Sequence, residues 1–292
     1  MATPASPPPA NGNAGDGKLK IYFLPNLLTA GNLFCGFIAL TKIVEANPDA
    51  PGFTDAIRVA LFYILLACIC DLLDGRVARL GGYESPFGRE FDSLADVVSF
   101  GVAPAFLVHR IVLADVFRQY PKLGWFIASI YLICGAFRLA RFNCLADKAG
   151  SGGGKEFVGF PIPAAAGFVA SLTLFLLWAE DHDFTKFRES SLRYALPVLL
   201  VFLSLMMVSQ VKYPTFKKLD FRATRTFPKM VAIVLVVGFF VILWDKLVQF
   251  ALPAFFTLYL IYGFFRPYIS GRMRHEIEDE DEDEEDETPA AG

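Results

Sequence analysis

Four carboxylates stand where a membrane chain tolerates them least. Asp71, Asp74, Asp92 and Asp96 fall within DLLDGRVARLGGYESPFGREFDSLAD, at or beside the ends of two long apolar stretches. A carboxylate at bilayer depth costs about 2.5–3.5 kcal/mol on insertion scales, so a cluster of four calls for compensating positive charge. A bound divalent cation provides it. Asp71 and Asp74 are spaced i, i+3 and Asp92 and Asp96 i, i+4, so on helices each pair shares a face. The GGYESP between them carries Gly and Pro punctuation and reads as the turn of an antiparallel hairpin. Closing that hairpin gathers all four carboxylates around one point. An all-oxygen set without His or Cys favours Mg2+, Mn2+ or Ca2+ over zinc. Four carboxylates suffice for one ion or two, and two would clamp a phosphoryl group from its attacking and leaving sides.

The elements that must hold this cluster are membrane helices. Hydrophobic residues make up 54% of the chain and mean hydropathy is +0.45, more apolar than an ordinary soluble domain. Apolar runs of ~20 residues, the length that spans a bilayer, recur along the sequence. They lie near Ile21–Val44, Ile57–Arg79, Phe91–Leu113, Leu123–Phe142, Pro161–Ala179, Leu192–Val211, Pro228–Trp244 and Leu247–Phe265. The expected fold class is all-α integral membrane, with about eight transmembrane helices. The last two runs admit a second reading as one re-entrant hairpin, since only Asp245 and Lys246 separate them.

Charge sets the expected orientation. With the N-terminus in the cytoplasm, about two-thirds of the 27 Lys and Arg fall on the cytoplasmic side, as the positive-inside rule requires. The aspartates fall on the same side. The formal net charge of −3 conceals this, because Glu276–Glu287 concentrates 11 of the 30 acidic residues. The rest of the chain is net basic and suits anionic head groups and phosphates.

Residues 1–17 are Pro, Ala, Gly and Asn without an apolar run, an expected disordered arm and not a signal peptide. Residues 271–292 read as a solvated acidic tail. Between them, 18–227 is the expected six-helix catalytic core and 228–270 the additional membrane helices. Cys35, Cys68, Cys70, Cys134 and Cys144 lack zinc spacing and read as packing residues with free thiols. Trp125, Trp178 and Trp244 fall at expected outer ends of spans, as an aromatic belt would place them.

Small residues surround the aspartates. Gly75 and Ala78 leave room for a flat group against the helix backbone, and Arg79 can hold a phosphate bidentately. Gly88, one turn before Asp92, allows a bend or a close approach. Helix packing accounts for any one of these glycines; their spacing with four aspartates favours a ligand cleft. The whole pattern, D-x2-D-G-x2-A-R-x8-G-x3-D-x3-D, resembles the signature of the CDP-alcohol phosphotransferases at all eight positions. Further segments are similar to the CDP-diacylglycerol–serine O-phosphatidyltransferase branch of that family: Ser85–Ala105, PNLLTAGNLFCGF (Pro25–Phe37), GAFRLARFN (Gly135–Asn143) and FVGFPIPAAAG (Phe157–Gly167).

The resemblance implies a helical membrane enzyme, a homodimer surrounded by membrane lipids, with six core spans around a cytoplasm-facing cavity and no nucleic-acid partner. Its implied location is a bacterial cytoplasmic (inner) membrane, with both termini and the active site facing the cytoplasm. It implies that the hydroxyl of L-serine attacks the phosphorus of CDP-diacylglycerol and that CMP leaves. Asp71, Asp74, Asp92 and Asp96 would hold Mg2+ or Mn2+, and Asp96 would also take the serine proton. Asp71, Gly75, Ala78, Arg79, Gly88 and Asn32 would bind the CDP-lipid.

Other residues keep two readings. Arg138 and Arg141, i, i+3 at the end of the fourth span, suit the serine carboxylate or else a lipid phosphate at the interface. Asn26, Thr29 and Asn32 line the donor site or hold helices together by hydrogen bonds. Phe157–Ala165, with two prolines and a glycine, roofs the cavity or forms an ordinary interfacial turn. Two other functions compete. Glycerol 3-phosphate or an inositol phosphate as acceptor would want extra Lys or Arg in the cavity. A cation or proton transporter also carries intramembrane carboxylates, but it has no need of Gly75, Ala78, Arg79 and Gly88 at these spacings.

Overall fold

The computed structural model describes residues 22–82, 85–149, 156–182, 194–209, 211–214 and 244–265. Among them the helices are α1 Phe23–Glu45, α2 Phe53–Gly81, α3 Pro86–Val116, α4 Pro121–Ala149, α5 Ile162–Asp181, α6 Ala195–Val208 and α7 Trp244–Phe265. Helices α1, α2, α3 and α5, and Pro121–Leu145 of α4, are long and apolar enough to cross a membrane; α6 and Phe250–Tyr262 of α7 are shorter apolar helices. At 1.5 Å per residue, the 20 residues of α5 reach about 30 Å, one hydrocarbon thickness. The chain is thus the expected all-α integral membrane protein. Expected spans one to six fall on α1 to α6 and the eighth on α7. The seventh, near Pro228–Trp244, lies outside the described residues except for Trp244. Helix α7 already contains Asp245 and Lys246, so no re-entrant turn forms there; neither residue type breaks a helix.

Local chemistry sets the ends that hydropathy misplaces. Helix α2 stops at Gly82, whose φ of +63° suits glycine and whose N–H reaches the Ala78 and Arg79 carbonyls. Ser85 then caps α3, its Oγ accepting from the Gly88 N–H at 3.0 Å, with Pro86 in the first helical turn. Helix α3 therefore begins ahead of the expected Phe91, because the cap is made of polar residues that hydropathy excludes.

Helix α3 is not uniform. It widens into π turns at Val97–Val102 and again at His109–Leu113. Pro104 has no N–H to offer the Phe100 carbonyl and its ring crowds that oxygen; a wide turn just before it relieves both. The first π turn begins immediately after Asp96.

Close helix approach is written in glycine. A Cβ on Gly36 of α1 would fall 2.7 Å from the Ser99 Cα of α3, and one on Gly167 of α5 would run into the Phe256 ring of α7. Phe100, Tyr131, Phe160 and Ile162 are fully buried, while Phe34, Phe37, Leu94 and Phe137 are exposed, as a lipid-solvated surface permits. At the opposite end from the aspartates, Arg110 Nε donates to the Ala46 carbonyl at 2.9 Å, and Arg58 of α2 pairs with Asp181 of α5.

A two-stranded ribbon adds what the sequence reading lacked. Glu156–Val158 (β1) pairs antiparallel with Lys212–Pro214 (β2). It continues into Gly159, φ +85°, whose N–H donates to the Val211 carbonyl at 2.9 Å, and Phe160, whose N–H reaches the Met206 carbonyl at 3.1 Å. The expected roof, Phe157–Ala165, is therefore a strand end, a turn and the start of α5. The ribbon lies at the aspartate end of the bundle, whereas Phe250 of α7 packs on Trp178 at the other end, with ring centroids 4.7 Å apart. The described elements flanking 215–243 thus stand at opposite ends.

Candidate active site

The last turns of α2 and the first turns of α3 carry the aspartates, between the Gly82 cap that ends one helix and the Ser85 cap that starts the next. Asp71, Asp74 and Asp92 each offer a carboxylate oxygen within 4.8 Å of the other two. Asp74 is 4% exposed, and its Oδ2 accepts from Thr29 Oγ1 of α1 at 2.8 Å. Asp96, 5% exposed, stands one turn deeper along α3, outside that three-oxygen group among the described residues. Its Oδ1 accepts from Asn32 Nδ2 at 3.1 Å. The expected convergence of four carboxylates is thus three together and a fourth held by an amide from α1.

One atom tests whether a cation fits. Asp92 Oδ1 is buried and receives no hydrogen bond among the described residues. A buried carboxylate oxygen without a donor, flanked by two more carboxylates, is costly unless a positive charge joins it. Hard, anionic oxygens from three side chains suit a divalent cation such as Mg2+ or Mn2+. The residues present fit that group.

The remaining candidates separate. A Cβ on Gly75 would lie 3.3 Å from Arg79 Nη1, so the arginine folds back over the glycine. From there its charge acts on Asp71 and Asp74. Ala78 is half-buried on the same helix. At Gly88 a Cβ would stand 3.4 Å from Asn26 Oδ1, so the glycine seats the start of α3 against α1. Arg138 is 8% exposed, its guanidinium 5.6 Å from the Phe142 ring centroid, and its charge acts on Asp96 and Asp71.

Arg141 goes elsewhere. Its Nη1 donates to the Val208 carbonyl and its Nη2 to the Ser209 carbonyl, both at 3.2 Å. The cause is the C-terminus of α6, which presents carbonyls that no helical N–H can satisfy. Thr29 was visible in the sequence only as one polar residue among three; its role as the donor to Asp74 needs the packing of α1 on α2. Asn143 was missed as a candidate and joins α4 to α3 through Ser93 Oγ at 3.0 Å.

Known proteins share this arrangement of sequence. A family model described as CDP-alcohol phosphatidyltransferase matches residues 22–262. A Helicobacter pylori protein named CDP-diacylglycerol–serine O-phosphatidyltransferase is 33% identical over 246 residues, 84% of this chain and 91% of that protein. A Bacillus subtilis protein of the same name is 34% identical over 200 residues, 67% of this chain and 92% of its own. An archaetidylserine synthase from Methanothermobacter thermautotrophicus is 32% identical over 202 residues, 68% of this chain and 73% of its own. With its signature intact and most of its length matched, this chain belongs to the CDP-alcohol phosphatidyltransferase family.

Proposed function

We propose that this protein transfers the phosphatidyl group of CDP-diacylglycerol to the hydroxyl of L-serine, giving phosphatidylserine and CMP. The observation that carries the chemistry is the three-oxygen cluster of Asp71, Asp74 and Asp92 with the unmatched Asp92 Oδ1. Support for the acceptor comes from the relatives. Their names differ in the lipid, phosphatidyl or archaetidyl, and agree in serine.

The roles follow from position. A divalent cation, Mg2+ or Mn2+, held by Asp71, Asp74 and Asp92 would neutralise the diphosphate and make CMP a better leaving group. Arg79 takes a phosphate oxygen from the exposed side of α2, and Gly75 and Ala78 leave backbone open to the cytidine. Asp96 accepts the proton of the serine hydroxyl as its oxygen bonds to phosphorus and the bond to CMP breaks. Asn32 holds the Asp96 carboxylate in one orientation. Buried Arg138 receives the serine carboxylate. Such a transfer relies mostly on positioning and charge. The acyl chains stay in the bilayer, the site faces the cytoplasm of a bacterial inner membrane, and the chain works as a homodimer.

Purified protein given CDP-diacylglycerol with L-serine, glycerol 3-phosphate or an inositol phosphate in turn tests the acceptor. Phosphatidylserine from serine, with no lipid product from the other two, is the expected outcome. A glycerophosphate or inositol lipid in its place overturns the reading.

A further inference from the structure

Beside the proposed base, one enclosed acceptor atom has nothing to accept. Asn32 is 0% exposed. Its Nδ2 donates to Asp96 Oδ1 at 3.1 Å and its main-chain carbonyl accepts from Ser99 Oγ at 3.0 Å. Its side-chain Oδ1 has no hydrogen bond among the described residues. A carboxylate oxygen accepts and does not donate, so Asp96 fixes the amide with Nδ2 toward itself and Oδ1 turned away. Gly36 brings the Ser99 backbone against α1, and that contact holds Asn32 in register with Asp96. A buried amide carbonyl is destabilising without a donor, and a protein that keeps one rigidly in place beside its base has a donor to receive.

We infer that Asn32 Oδ1 receives the ammonium group of the acceptor, which makes Asn32 a specificity-determining residue for an amino alcohol and not a ligand of the CDP-lipid. This inference rests on the reading of Asp96 as the base and of serine as the acceptor. Serine carries its hydroxyl and its ammonium on adjacent carbons. When the hydroxyl addresses Asp96, the ammonium comes within reach of the side chain that holds Asp96. The serine carboxylate is left for Arg138, whose charge acts on the same aspartate. Asn32, Asp96 and Arg138 thereby offer an acceptor, a base and a cation to the three polar groups of one amino acid. Glycerol 3-phosphate and inositol phosphates bring no ammonium and leave Oδ1 unmatched, and sites built to accept a hydrogen bond discriminate strongly against such ligands.

The test compares L-serine with 3-hydroxypropanoate, which is serine with hydrogen in place of the ammonium, in the full-length protein and in Asn32→Ala. The wild type should favour serine in kcat/KM by roughly 10- to 100-fold, the range for a hydrogen bond to a charged group. Asn32→Ala should raise the KM for serine by a similar factor, leave the KM for CDP-diacylglycerol within about twofold, and bring the two acceptors close to parity. A rise confined to the KM for CDP-diacylglycerol would place Asn32 on the donor and overturn the inference. So would an equal fall in kcat for both acceptors with the preference intact, since Asn32 would then only align Asp96. Wild-type protein that uses both acceptors equally overturns it too, even where the variant fails to fold. Wild-type protein that makes no phosphatidylserine overturns the acceptor assignment itself, a result distinct from the others.

Discussion

At the scale of single residues, the cluster divides into carboxylates whose oxygens converge, Asp71, Asp74 and Asp92, and side chains that hold them in place. Asp92 carries the oxygen with no donor, so Asp92→Asn should lower kcat/KM by about a hundredfold or more, as loss of one electrostatic stabiliser does. An unchanged melting temperature in detergent would show that the fold survives. Thr29 acts through Asp74, at 2.8 Å. Thr29→Val should therefore raise the metal concentration for half-maximal activity by roughly 10- to 100-fold, and a titration at saturating serine reads it directly. Arg138→Lys keeps the charge but loses the planar fork. It should raise the KM for serine by about tenfold or more while the KM for CDP-diacylglycerol moves much less. The aspartates were legible because charge in an apolar stretch has few explanations. Arg141 was not, because the carbonyls that claim it come from α6, about 67 residues away.

Elements divide the same way. Long apolar runs gave the helices, and Gly and Pro punctuation gave the α2–α3 hairpin. The two π turns and the ribbon left no readable mark, since a widened turn keeps the apolar pattern of α3. Three-residue strands are too short to show alternation. Their pairing joins Phe157 to Tyr213 across the whole of α5 and α6. Gly159 is the element-scale prediction. At φ +85° it sits in the left-handed region, and a Cβ there would lie 2.9 Å from Arg141 Nη2. Gly159→Ala should cost about 1–3 kcal/mol, seen as a lower melting temperature in detergent. Gly52, with φ +97° and nothing within 4 Å of an added Cβ, should lose less on the same substitution because only the backbone is strained.

For the whole molecule, a bundle solvated by lipid gathers Asp71, Asp74 and Asp92 at one end, while the Arg58–Asp181 pair stands at the other. The fold class was readable from the apolar runs, and the grouping of the three aspartates from charge set against them. The acidic run Glu276–Glu287 lies outside the described residues, and deletion of 276–292 should leave turnover unchanged within about twofold, since every residue given a role in the reaction lies between Asn32 and Arg138. Turnover lost on deletion would give the tail a role in the reaction.

The central claim is that Asp71, Asp74 and Asp92 gather a divalent cation to drive phosphatidyl transfer to serine. CMP release from CDP-diacylglycerol in detergent, with and without serine and with and without a chelator, measures it most directly. Release should match phosphatidylserine formed, require serine, stop on chelation, return with Mg2+ or Mn2+, and be absent in Asp92→Asn. Release that persists without serine, or that a chelator leaves untouched, would contradict the account.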